Sequence, residues 1–150
     1  MSAVPDAESL DLRAVEDEAA VAACWPVMRQ LRPHLASAEQ FVARWRLQAA
    51  SGYRLAALWR GGTPVALAGF RVQENLVYGP HLYVDDLVTD EAERGGGHGA
   101  RLIAWLAEEG KAFGCARLVL DTPLTNVLGH RFYYRCGLLA TALRFGLPLE

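Results

Sequence analysis

"ERGGGHGARLI", residues 93–103, sets four glycines into the five positions 95–99 and then runs straight into an amphipathic stretch. Glycine at that density costs folding entropy, so a short domain carries it for a reason. A helix leaves its first N–H groups without partners and holds about half a positive charge at that end. Glycines at or just before the first turn let a phosphate reach those N–H groups without meeting a Cβ. Arg94 and Arg101 flank the loop and can add charge-assisted hydrogen bonds. The run Arg94, Gly95, Gly96, Gly97, His98, Gly99 and Ala100 therefore predicts a phosphate or pyrophosphate cradle opening a helix over about 98–113.

Periodicity extends outward from that loop. Upstream, "SLDLRAV" (9–15) alternates as a strand, and "EDEAAVAACWPVMRQLR" (16–32) is a helix that Pro26 should kink or divide. "SAEQFVARWRLQAAS" (37–51) is a second helix, with Ser37 and Gln40 matching a capping box. "YRLAALWR" (53–60), "VALAGFRVQENLVY" (65–78) and "HLYVDDLVT" (81–89) read as three strands, the first two joined by a glycine turn. Downstream of the loop, Leu102, Ile103, Leu106 and Phe113 share a helical face. "ARLVLDT" (116–122) is a strand, "NVLGHRFYYRCG" (126–137) a short helix and "LLATALRFGLPL" (138–149) a closing strand or hairpin. The order β-α-α-β-β-β-α-β-α-β predicts one α+β domain spanning 1–150. Its central sheet is mixed and mostly antiparallel, of about six to seven strands, with helices on both faces. The β-α-β unit at its C-terminal side is parallel by the handedness rule.

Bulk properties bound the function. With 150 residues, 52% hydrophobic, the chain can bury a substantial core. A net charge of -2 and the lack of any basic run exclude a nucleic-acid surface. No apolar run approaches the roughly 20 residues needed to span a bilayer, and "MSAVPDAESLD" does not read as a secretory leader. Cys24, Cys115 and Cys136 are odd in number and far apart, so they read as small core residues in a reducing cytoplasm. His34, His81, His98 and His130 lack metal-ligand spacing, so no metal is expected.

Three kinds of phosphate loop compete for residues 93–103. A P-loop needs Lys and then Ser or Thr after its last glycine, where this chain has Ala100 and Arg101. Gly95, Gly97 and Ala100 fit a dinucleotide fingerprint, with Asp121 as ribose-binding acid, which would make the chain an oxidoreductase. That motif normally closes the first strand, however, whereas here it follows a hairpin and the polar spacer "TDEAE". The third kind comes through likeness. "LYVDDLVTDEAERGGGHGARLIAWL" resembles the acetyl-CoA-binding core of the GNAT superfamily of N-acetyltransferases, with Arg94, Gly97 and Gly99 in register with that family's pattern. "NVLGHRFYYRCGL" resembles a second family segment at Asn126, Phe132, Tyr133 and Gly137, with Gly129 in place of the usual Ala and Leu138 in place of Phe. The likeness covers residues 80–140 well and the N-terminal half by element order only.

This resemblance implies a sheet splayed between the 81–89 and 116–122 strands, and acetyl-CoA as cosubstrate. It places the pantetheine arm against the backbone N–H groups of Leu87, Val88 and Thr89, and the pyrophosphate on residues 94–100. It makes Asn126 a cofactor contact and Tyr133 the acid that protonates the departing thiolate, with Tyr134 as rival. Asp85 and Asp86 are candidates for accepting the amine's proton. As neighbours on a strand they point to opposite faces, Asp86 sharing the apolar side with Leu82, Val84 and Val88, where a carboxyl's pKa should rise. A bulge would scramble that parity. Arg29 and Arg32, one turn apart, together with Tyr78 and His81, are candidates for holding the acceptor; His34 and Glu74 are further polar residues there. His98 and His130 read as loop and surface residues. The function that follows is direct acetyl transfer to a small-molecule or peptide amine in a cytoplasmic enzyme, with a non-catalytic acyl-CoA sensor as alternative. The apolar C-terminal stretch could pair across a homodimer.

Overall fold

A computed structural model of the chain describes residues 9–150. Residues 1–8, which carry most of the stretch read above for a leader, lie outside the described residues. The elements are β1 (Leu10–Val15), α1 (Glu18–Leu31), α2 (Ala38–Ala49), β2 (Arg54–Arg60), β3 (Thr63–Asn75), β4 (Gly79–Thr89), a 3₁₀ turn Glu91–Glu93, α3 (His98–Ala112), β5 (Leu118–Leu120) and α4 (Val127–Arg135). The chain divides into two compact units, Met1–Val119 and Leu120–Glu150.

Local chemistry sets the helix boundaries. Asp17 caps α1 by accepting from the Ala20 N–H at 2.8 Å. Ser37 caps α2 by accepting from Gln40 N–H at 3.1 Å, while the Gln40 side chain takes the Ala36 N–H, one residue further back than a standard capping box. Pro26 does not divide α1, which runs unbroken from Glu18 to Leu31. The missing N–H at Pro26 removes one helical bond, and the helix tolerates this because its buried face, Val21, Cys24, Val27 and Met28, is held by the core.

The sheet has five strands in the order β1-β2-β3-β4-β5, with the first four antiparallel. Two main-chain bonds, Ala116 N–H to Pro80 O and Leu82 N–H to Arg117 O, advance in the same direction along both segments, so β5 is the parallel member. The strand count is lower than the six to seven expected, because residues 138–149 form no strand.

Helices cover both faces. Leu55, Ala57, Trp59 and Leu67 point toward Val21, Cys24 and Met28 of α1 and Phe41 of α2 in one apolar cluster. On the other face Phe70 meets Trp105 of α3 edge to face at 5.8 Å, and Leu82 lies against Gly110. Leu102, Ile103 and Leu106 of α3 are buried there as periodicity predicts. Phe113 is not: α3 ends at Ala112, and Phe113 as C-cap leaves the stripe to lie under the Arg54 guanidinium.

A register shift between Gly69 and Phe70 positions the site. Gly69 pairs with Asp86 and Phe70 with Val84, so Asp85 is an extra residue in β4. This overturns the parity expected from counting along the strand. Val84 and Leu82 stay on the α3 side, while Asp86 follows Gly69 onto the α1/α2 side. The bulge brings both carboxylates to one face.

Candidate active site

The paired acids open into a cavity of about 390 Å³ on the α1/α2 side of the sheet. Its apolar wall comes from Met28, Leu35, Phe41 and Trp45, and its polar wall includes Arg32, Gln48, Tyr53, Asp85 and Asp86. On α2, Phe41, Arg44, Trp45 and Gln48 all line it, the i, i+3, i+4, i+7 stripe of one helical face.

The carboxylates differ in how they are held. Asp86 takes two separate donors, Arg32 Nε at 2.8 Å and the Tyr53 hydroxyl at 2.8 Å. Arg32 also donates to the Asp85 carbonyl at 2.9 Å, fixing the bulge backbone. Asp85 receives one N–H, Arg71 Nε, shared between its oxygens at 3.2 and 3.1 Å. Arg71 in turn donates to Gln48 Oε1 at 2.8 Å and lies over the Tyr53 ring. Burial pushes the Asp85 carboxyl above its ordinary value, and Arg71 offsets part of that rise. Burial, reinforced by Asp86, holds the Tyr53 phenol well above the usual tyrosine range, so Tyr53 remains a donor.

The structure separates the four acceptor candidates. Arg32 reaches the cavity, but as the C-cap of α1 (φ −120°, ψ 72°) it leaves the helical face of Arg29 and turns to the acids. Arg29 stays exposed and lies over the Trp25 ring, so the two arginines do not converge as a clamp. Tyr78 and His81 pack edge to face at 5.5 Å by the β3–β4 turn, with His81 buried and its Nδ1 2.9 Å from Gly79 O; neither lines the cavity.

Leu87, Val88 and Thr89 continue β4 in register with Ala68, Leu67 and Ala66. The chain then turns through Glu91–Glu93 into the glycine loop. Gly95 (φ 86°) and Gly97 (φ 81°) occupy the left-handed region that other residues avoid. Gly97 is the N-cap of α3 and offers no side-chain cap to its N–H groups. Nothing lies within 4 Å of where a Cβ on either glycine would sit, so protein does not fill the space around them. The arrangement fits a pyrophosphate. His98 is corrected from surface to buried: it is 6% exposed, and its Nε2 lies 3.2 Å from Glu93, which also accepts from Arg60 at 2.8 Å. His98 and Arg60 hold the Glu93 carboxyl below its ordinary value, bracing the base of the loop.

In the second unit Asn126 caps α4, accepting from Gly129 N–H at 3.2 Å and donating to Thr122 Oγ1 at 3.0 Å. A Cβ at Gly129 would fall 2.2 Å from Asn126 Nδ2, so the Asn126 side chain sits close over the first turn of α4. Tyr133 is half-buried against Phe132 at 5.3 Å, and burial raises its phenol above the ordinary tyrosine value; Tyr134 is 55% exposed. His130 is also half-buried, its Nε2 3.0 Å from Pro123 O.

The profile of the Acetyltransferase (GNAT) family matches residues 18–138. The chain belongs to this family. It is an acyltransferase, and acetyl-CoA is its cosubstrate. The dinucleotide reading of Gly95, Gly97 and Ala100 falls accordingly. An aminoglycoside N(6')-acetyltransferase of Serratia marcescens is 31% identical over 123 residues, 78% of this chain and 84% of its own. An uncharacterized N-acetyltransferase of Bacillus subtilis (strain 168), YhdJ, is 30% identical over 112 residues, 73% and 77% of the two chains. The solved aminoglycoside N-acetyltransferase AAC(6')-Iy in complex with CoA superposes with a TM-score of 0.83 over 95% of each chain at 16% identity, a likeness of fold. Among the described residues no helix is long and apolar enough to cross a membrane, and no three His, Cys, Asp or Glu group to hold a metal ion.

Counting residues missed Tyr53 and Arg71, which hold the acids, Gln48, which holds Arg71, and the role of Glu93 in bracing the loop. A signal for the first three was present. Gly69 stands alone inside the strand "VALAGFRV", and an isolated strand glycine marks a bulge or a close approach.

Proposed function

We propose that this chain transfers the acetyl group of acetyl-CoA directly to a primary amine held in the α1/α2-side cavity, in a ternary complex. The observation that carries the reading is β4 itself. Its bulged middle aims two carboxylates into the cavity, and its end leads into the glycine-cleared head of α3. The family match runs across both units, which supports treating 1–150 as one acetyltransferase domain.

The chemistry assigns the parts. The amine nitrogen attacks the thioester carbonyl carbon; a C–N bond forms, the C–S bond breaks, and the nitrogen gives up a proton. Asp85 is the better acceptor of that proton, because burial raises its basicity and only one N–H holds it. Asp86, fixed by two donors, orients the amine and the bulge. By resemblance Tyr133 protonates the thiolate; its raised pKa keeps the phenol protonated at neutral pH. Leu87, Val88 and Thr89 with residues 94–100 and Asn126 bind acetyl-CoA in this reading. A sulfur nucleophile has no support: burial pushes Cys24 up to about 12, far from a thiolate. The exposed apolar alternation at the C-terminus supports a homodimer.

The test is free-thiol release with Asp85→Asn and Tyr133→Phe proteins. Each should lose kcat by roughly 100-fold or more while keeping affinity for CoA. Asp85→Asn should also abolish the acid limb of the kcat/KM profile. That limb lies above the ordinary Asp value, since the raised group must be ionised to act and activity falls as pH drops through it. Full turnover in both variants would remove these roles.

A further inference from the structure

We infer that the cavity selects an amine that also bears an anionic group, a carboxylate or a phosphate, on an aromatic or apolar body, and that Arg44 reads the anion. The inference rests on the proposed acetyl transfer for its chemistry, though not for its binding. Charge accounting carries it. Asp86 is paired with Arg32 and Asp85 with Arg71, so the charge of each acid is balanced by one arginine. Arg44 lines the same cavity and has no side-chain partner among the described residues, and the same holds for His34. The cavity therefore carries a surplus positive charge although two carboxylates lie in it.

Arg44 is exposed, at the mouth of the cavity that it lines. It stands in the stripe Phe41, Arg44, Trp45, Gln48 that α2 turns to the cavity. A guanidinium fork accepts carboxylate or phosphate oxygens two at a time. Phe41, Trp45, Tyr53 and Tyr83 supply ring surface for the body of the acceptor. A polycationic aminosugar, the class named in the Serratia marcescens relative, would have to displace Arg32 or Arg71 from its acid. Removing one partner from such a part-buried pair leaves an uncompensated charge. Specificity here is as much the rejection of a second cation as the capture of an anion.

Four probes test this: phenylalanine, its carboxamide, its phosphonate analogue and the aminoglycoside kanamycin. Binding is read by tryptophan fluorescence, for which Trp45 is a reporter in the cavity wall, and turnover separately by free-thiol release. The two anionic probes should bind roughly tenfold tighter than the carboxamide, the scale of one charge-assisted contact at a part-open site. Arg44→Ala should bring that ratio close to one, and Arg44→Glu should invert it; ratios cancel differences in amine reactivity. The carboxylate and phosphonate arms show which anion fits better. Equal binding of the carboxamide, a ratio unmoved by Arg44→Ala, or preference for kanamycin overturns the inference while leaving acetyl transfer intact. An anion preference that Arg44→Ala abolishes, with no thiol released from any probe, keeps the inference and counts against transfer to an amine held in this cavity.

Discussion

Gly69 has no side chain, yet it holds one of the most constrained positions among the described glycines. A Cβ there would lie 1.9 Å from the Tyr53 hydroxyl oxygen and 2.7 Å from Asp86 Oδ2, so alanine must break the bond between them. Gly69→Ala should cost about 1–3 kcal/mol, the range of overpacking in a filled site, and should depress activity as Asp86 moves. Tyr53→Phe separates packing from polarity, because it keeps the ring and leaves the part-buried carboxylate without one donor, again about 1–3 kcal/mol. The pH dependence has a definite sign. The folded phenol titrates well above its unfolded value, so its contribution is complete below about pH 10 and is lost as pH rises further. Urea unfolding should show the gap between wild type and Tyr53→Phe shrinking above pH 10; a constant gap from pH 8 to 11 would contradict the assignment. None of these partners is a sequence neighbour of Asp86. Tyr53 is 33 residues away and Arg32 is 54, and so the carboxylates were legible as candidates but their electrostatics were not.

At the scale of elements, the signals that were read correctly are local ones. Ser37 and the glycines at 95–97 mark helix starts through bonds made within a few residues, and α3 begins at His98 as the loop composition implies. The β4 parity failed because a bulge is a property of two strands, set by where β3 changes register, and alternation along one strand cannot contain it. The loop makes the prediction that belongs here. Gly97→Ala forces a Cβ into the left-handed region at the N-cap, which costs about 1–2 kcal/mol. No neighbour lies within 4 Å of that Cβ, so the chain can relieve the cost only by rotating the peptide and turning the α3 N–H groups away. Calorimetric titration should show CoA affinity falling about tenfold or more, with acceptor affinity at the cavity unchanged. Undiminished CoA binding in Gly97→Ala would mean that the head of α3 does not hold the diphosphate.

For the whole molecule, the C-terminal stretch poses the remaining physical problem. Leu143, Phe145, Leu147 and Leu149 alternate with Arg144, Gly146, Pro148 and Glu150, a period-two pattern that reads as a strand. The pattern was legible, yet no strand forms, and these four apolar side chains are 67%, 89%, 81% and 91% exposed. Alternation specifies which face of a strand is apolar, but a strand also needs a neighbour to take its main-chain bonds, and periodicity does not name that neighbour. A second copy offers the same apolar row under two-fold symmetry, so one patch pairs with itself. Burying such side chains is worth about 1.5–3 kcal/mol each, enough for four per copy to offset the entropy of association. Pro148 confines the segment to an edge and so favours a closed pair over an open fibre. Sedimentation should therefore give twice the 16.4 kDa chain mass at micromolar concentration. Phe145→Asp with Leu147→Asp should yield the monomer at an unchanged melting temperature of the monomer fold, since neither side chain is part of the core. A wild-type chain that sediments as a monomer at every concentration would reject the pairing.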